Sequence, residues 1–143
     1  MIYVDTSVLL KTYVYEDRSE EAIQLLENQV TKPPISPPLK LEFTNALQLK
    51  VFRTEITPED KNRYLAAFKE DLSQGYFVSP RFEMESVYSA SEQLAQQHSS
   101  LLGTRSMDIV HVAIALEIGA TIFISFDHRQ QDLANACGLK VMG

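Results

Sequence analysis

The chain switches repeatedly between two hydrophobic periods, and the switches predict its elements. Met1 to Val4 is an unbroken apolar run and predicts a strand; from about Thr6 to Tyr15 the pattern is helical. "EDRSEEAIQLLENQ" (16–29) predicts a second helix, with Asp17 or Ser19 as N-cap and Ile23 and Leu26 facing inward. "KPPISPP" (32–38) breaks the pattern, and its prolines allow at most a short strand near Ile35. "LKLEFTNALQLKVFR" (39–53) is a helix with Leu39, Phe43, Ala46, Leu47 and Val51 along one stripe. "TPEDKNRYLAAFKEDLSQG" (57–75) carries its own punctuation: Thr57 as N-cap, Pro58 at the first helical position and Gly75 as stop. "YFVS" (76–79) reads as a strand, "EMESVYSASEQLAQQH" (83–98) as a helix and "SSLLGTRS" (99–106) as a loop. The nearly all-apolar "MDIVHVAIALEIG" (107–119) predicts an inner helix closed by Gly119. "ATIFIS" (120–125) is the strongest strand, followed by a short helix in "DHRQQDLANACG" (127–138) and a last strand in "LKVM" (139–142).

Strands separated by helices imply parallel pairing with helices on both faces, an α/β fold. No linker, repeat or low-complexity segment divides residues 1–143, so one domain is expected. A hydrophobic content of 45% with 22% charged residues excludes a disordered chain. The most apolar region, Ile109 to Phe126, is interrupted by His111, Glu117 and Gly119, which argues against a membrane span. No basic stretch leads into a long apolar core at the start, so no secretory signal is expected. Cys137 is the single cysteine; no internal disulfide can form, a reducing cytoplasm is the natural compartment, and a small buried apolar role is expected for it. The net charge of −6 speaks against broad, nonspecific nucleic-acid binding. It leaves room for a local basic rim around an acidic pocket, and it would attract a basic partner.

Charge placement turns the fold into a candidate site. In an open parallel sheet, sites gather at the carboxyl ends of strands. Two strands here end on aspartate, at Asp5 and at Asp127. If they are neighbours, both carboxylates face one crevice. Glu42 sits at the edge of a buried stripe, and Asp108 opens the most apolar helix. Each has a plainer reading: Asp5, Asp127 and Asp108 as helix caps, Glu42 with its head in water. Clustered carboxylates need a positive counterpart, and Mg²⁺ or Mn²⁺ suits oxygen donors. No Cys/His spacing suits zinc. Of the remaining polar residues, His111 is expected to be a packed helix residue with local hydrogen bonds, His128 a loop residue and Asp132 a solvent-facing acid.

"YVDTSVLLK", "LEFTNAL" and "SMDIVHVAIALEIGATIFISFDHRQQDLANACGLKV" resemble the PIN-domain family, and within it the VapC-like toxins of prokaryotic toxin–antitoxin pairs. The resemblance runs nearly end to end. It is most specific in the last third, where an Asp-led apolar helix, a Gly, an apolar strand and Ser-x-Asp follow in order. It implies a three-layer α/β/α fold with a central parallel sheet, and a ribonuclease dependent on Mg²⁺ or Mn²⁺. Asp5, Glu42, Asp108 and Asp127 would be the catalytic acids, with Asp5, Asp108 and Asp127 holding metal. A metal ion there would acidify a bound water and neutralise the scissile phosphate. Thr6, Ser7 and Ser125 match the family's hydroxyls. Arg105 and Arg129 stand near the acids as possible phosphate clamps. The implied partners are RNA, a cognate antitoxin with a basic segment and a second copy of the chain; no membrane is implied. Two other small α/β folds fit less well: a phosphoacceptor receiver lacks its middle-strand Asp in "YFVSP", and a haloacid-dehalogenase-like phosphatase would need an acid where Ser7 stands. A metal-poor PIN scaffold that only binds a partner remains open on sequence.

Overall fold

The computed structural model describes residues 1–143. Three short parallel strands, β1 (Ile2–Val4), β2 (Ile122–Ile124) and β3 (Lys140–Met142), form a sheet in the order β1-β2-β3. Tyr3 lies opposite Phe123 and Val4 opposite Ile124, so the two aspartate-ended strands are neighbours. The backbone N–H of Asp5 extends this ladder to the Ile124 carbonyl at 2.9 Å. All three residues of β1 are buried, as a strand covered on both faces requires.

Eight helices flank the sheet: α1 (Thr6–Leu9), α2 (Ser19–Glu27), α3 (Pro37–Phe52), α4 (Pro58–Ser73), α5 (Met84–Leu94), α6 (Ser100–Leu102), α7 (Ser106–Glu117) and α8 (His128–Ala136). The inner helix is α7, whose residues from Asp108 to Ala115 are all buried. It packs against α3, α5 and α8. Leu39, Phe43 and Leu47 carry the buried stripe of α3. Phe43 meets Phe68 of α4 at 4.4 Å between ring centroids, and Tyr13 packs edge-on against both rings. Thr57 and Asp60 form a reciprocal capping box at the start of α4, which stops just before Gly75 at φ 72°.

The boundaries differ from expectation in five places, each with a local cause. The first helix is shorter than Thr6–Tyr15: it tightens into a 3₁₀ turn over Leu10–Thr12 and ends. Neither Asp17 nor Ser19 caps α2. Arg18 holds the N-cap position at φ 62°, and the Ser19 hydroxyl instead bonds the Glu16 N–H and the Val14 carbonyl. On α2, Ala22 is the buried residue, whereas Ile23 is exposed. Pro37 and Pro38 begin α3 rather than preceding it, because Ser36 caps the helix and the first helical N–H groups need no partner. The strands expected near Ile35 and at 76–79 shrink to one parallel bridge, Pro34 with Val78. Prolines at 33, 34 and 80 remove the donors that a longer ladder would use. Finally, the expected loop at 99–106 is mostly helical. A π turn over Ala95–Ser99 carries α5 into α6, and Gly103 at φ 64° ends the run.

Candidate active site

The carboxyl ends of β1 and β2 open into a cleft of about 500 Å³, and Asp5, Glu42, Asp108 and Asp127 all line it. Each acid is delivered by a different element. Asp5 is the N-cap of α1 and a wall of the cleft at once. Its Oδ2 accepts from the Ser7 N–H at 3.0 Å and the Ser125 hydroxyl at 3.2 Å. Asp127 caps α8 through Oδ1, which accepts from the Arg129 N–H at 2.8 Å. Asp108 accepts from the Arg105 N–H at 2.9 Å through Oδ2. Glu42 projects from α3, where its Oε2 accepts from the Thr6 hydroxyl and meets His111 Nε2 at 2.8 Å. Capping and cleft-lining are therefore not alternatives; the caps hold the acids in place.

The hydroxyls form the frame behind the acids. Ser125 is fully buried, accepts from the Asp127 N–H at 3.0 Å and donates to Asp5, so one side chain ties both strand-end acids together. The Ser7 hydroxyl accepts from the Phe126 N–H at 3.0 Å, fixing the chain as it leaves β2. Arg105 reaches over the cleft with its guanidinium 3.5 Å from Asp108 Oδ2 and 3.4 Å from Asp127 Oδ2. Its side chain is 66% exposed. Arg129 is exposed and gives the site only its backbone N–H.

Two residues do more than their sequence context suggested. Gln130 is 3% exposed and lines the cleft, with Nε2 donating to Asp108 Oδ1 at 3.3 Å. Its polar neighbours Arg129 and Gln131 disguise it; the available signal was its spacing, three residues before buried Leu133 on the same helix. His111 is buried as expected, but its bonds are not local: Nδ1 meets the Tyr3 hydroxyl at 2.6 Å and Nε2 meets Glu42. His128 begins α8 instead of lying in a loop and pairs with Gln131, Asp132 is exposed, and Cys137 is half-buried with its thiol pushed up by burial.

Electrostatics tie the cluster together. Burial alone would raise the Glu42 carboxyl, but the His111 bond and charge, the Thr6 hydroxyl and Arg105 outweigh it and hold the group below the usual range. Burial pulls His111 down, yet the Glu42 bond and the nearby Asp5, Glu42 and Asp108 charges leave it raised. Burial raises Tyr3 far above its ordinary range, so it stays a phenol. The donor set fits a divalent cation. Ligand atoms of Asp5, Glu42 and His111 lie within 4.8 Å of one another, with His111 Nε2 engaged by Glu42, and Asp108 and Asp127 line the same cleft outside this compact group. Asp5 Oδ1 is buried with no hydrogen-bond partner, a costly state for a carboxylate oxygen that a cation would relieve.

Comparison with known proteins agrees with this architecture. None of the curated protein sequences matches the chain. Among solved structures, VapC20 of Mycobacterium tuberculosis, described as a sarcin–ricin loop cleaving toxin, superposes with a TM-score of 0.71 at 17% identity, covering 100% of both chains. FitAcB from Neisseria gonorrhoeae gives a TM-score of 0.69 at 18% identity, covering 100% of this chain and 97% of that one. At such identities the likeness is one of fold. The PIN domain family model matches residues 2–136, a span that takes in β1, β2, all eight helices and the four cleft acids, and the chain belongs to the PIN domain family.

Proposed function

We propose that this protein is a metal-dependent endoribonuclease and the toxin component of a toxin–antitoxin pair. The observation that carries the reading is the cleft at the ends of β1 and β2, where four carboxylates converge and one buried oxygen of Asp5 has no protein partner. Asp5, Asp108 and Asp127 would hold Mg²⁺ or Mn²⁺, with the Glu42 carboxylate within 4.8 Å of Asp5. Bound there, the ion supplies an acidified water and a positive charge against the scissile phosphate. Arg105, poised between Asp108 and Asp127, would turn toward the phosphate. Arg129, exposed two residues after Asp127, would meet the RNA backbone further along. Ser125 and Ser7 keep the two strand-end acids at a fixed separation, and Thr6 keeps Glu42 from swinging into solvent.

The biological role draws on family membership and on the fold shared with VapC20, itself described as a cleaving toxin. The natural inhibitor of an acidic cleft is a basic peptide, so the partner is an antitoxin that lays a basic segment over the site, with the toxin as a homodimer. Incubating the protein with single-stranded and loop RNAs in Mg²⁺, in Mn²⁺ and in EDTA tests the activity. Cleavage in metal that stops in EDTA supports it. Unchanged cleavage in EDTA overturns the mechanism, and no cleavage in either metal points to a scaffold that binds without cutting.

A further inference from the structure

We propose that His111 is a positioning residue for Glu42, presenting its Nε2 proton to that carboxylate while the Tyr3 hydroxyl anchors the ring at Nδ1. The proposal rests on the reading of Glu42 as part of a metal-dependent site. Both ring nitrogens are engaged across the core: Nδ1 lies 2.6 Å from the Tyr3 oxygen and Nε2 lies 2.8 Å from Glu42 Oε2. The Tyr3 oxygen is also 3.4 Å from Ser36 Oγ. His111, Tyr3 and Ser36 are each 0% exposed, so no solvent can substitute for a lost partner. The relay joins β1, α7 and the cap of α3, the helix that carries Glu42.

The proton inventory of these groups decides how the relay works. A carboxylate only accepts, whereas a tyrosine hydroxyl both donates and accepts. A neutral imidazole with its proton on Nδ1 would turn the Nε2 lone pair onto Glu42 Oε2, two acceptors in contact inside the protein. The acceptor-only Glu42 therefore selects the other tautomer, and the Tyr3 hydroxyl completes it by donating to Nδ1. If the ring is charged, Nδ1–H donates to the Tyr3 oxygen and the Tyr3 proton turns to Ser36. Glu42 meets the same Nε2–H donor in both cases. With the Thr6 hydroxyl on the same oxygen, Oε2 is held by two donors and Oε1 is left for the cleft. Direct metal ligation by His111 would need a bare Nε2, which this arrangement opposes.

The test reads the ring proton and the metal separately. Protein labelled with ¹⁵N-histidine is followed by long-range ¹H–¹⁵N correlation, with and without Mg²⁺, and Mg²⁺ binding is measured by calorimetry. Wild type should show a protonated Nε2 in both conditions. In Tyr3→Phe the proton should stay on Nε2 but the ring loses its anchor at Nδ1, and the Mg²⁺ dissociation constant should rise roughly 10-fold, the cost of losing an outer partner at a metal site. His111→Gln, whose amide donates to Glu42 without help from Tyr3, should keep most of the wild-type affinity, while His111→Leu should lose it. That pair decides the matter if Tyr3→Phe does not fold. Equal losses in Gln and Leu, unchanged affinity in Tyr3→Phe, or loss of the Nε2 proton when Mg²⁺ binds wild type would each overturn the proposal. Wild type that takes up no Mg²⁺ would sink the metal-site reading instead, and the ring proton would still test the relay.

Discussion

Replacing Asp5 by Asn separates a metal site from a mere helix cap, because the two predict different signs. Ligand atoms of Asp5 and Glu42 lie within 4.8 Å. Two charges at that distance repel by about 3 kcal/mol at an effective dielectric near 20. Relaxation and the neighbouring His111 reduce this, leaving about 1 kcal/mol of strain in the metal-free protein. Asn keeps the cap, since its side-chain oxygen can accept from Ser7 and Ser125 as Asp5 Oδ2 does, and its NH₂ replaces the unpartnered Oδ1 with a donor. In EDTA, Asp5→Asn should therefore melt about 3 °C above wild type. Mg²⁺ at 100 times its dissociation constant should raise wild type by about 2.7 kcal/mol and the variant by much less, reversing their order. Differential scanning calorimetry of both proteins in EDTA and in Mg²⁺ measures all four midpoints. Four equal midpoints would refute the reasoning and leave Asp5 as a cap alone.

Asp108→Asn should abolish cleavage and preserve the native circular dichroism, because the Asn oxygen still accepts from the Arg105 N–H and Gln130 can turn its amide to match. Glu16 bonds Lys11 and Lys50; burial would raise its carboxyl, but these two partners hold it below the ordinary glutamate value. Its stabilisation is complete above that value and disappears as pH falls through the depressed one, so Glu16→Gln should cost about 1 kcal/mol at neutral pH and nothing in strong acid, measured by urea unfolding across pH. Gly103→Ala, at φ 64°, should cost about 1 kcal/mol in the same assay, since the added methyl meets no neighbour and only the backbone objects.

Much of this arrangement was legible before any coordinates. Strands broken by helices dictate a parallel sheet, and a parallel sheet dictates that Asp5 and Asp127 share an end once β1 and β2 pair. Glu42 stood out because an acid at the edge of a buried stripe is unusual. What could not be read were bonds between residues far apart in the chain. His111 looked like one more member of an apolar helix, and nothing near it in sequence announces Tyr3 or Glu42, which lie 108 and 69 residues away. Gln130 was hidden by a second glutamine beside it. Two of the differing boundaries have simpler causes: the prolines at 37 and 38 suggest a break but start a helix, and the Ser pair at 99–100 suggests a loop although no breaker stops the helix before Gly103.

The most direct test of the central claim is the chemistry of the cut ends. A cleft of carboxylates around a metal activates water for in-line attack on the phosphodiester. A mechanism without metal would instead use the RNA's own 2′-hydroxyl. Cleaving an end-labelled RNA in Mn²⁺ and analysing both fragments by mass spectrometry distinguishes them. Fragments with 5′-phosphate and 3′-hydroxyl ends, absent with Asp5→Asn, are the expected result. A 2′,3′-cyclic phosphate, or unchanged cutting by Asp5→Asn, would contradict the assignment of this cleft as a metal-dependent nuclease site.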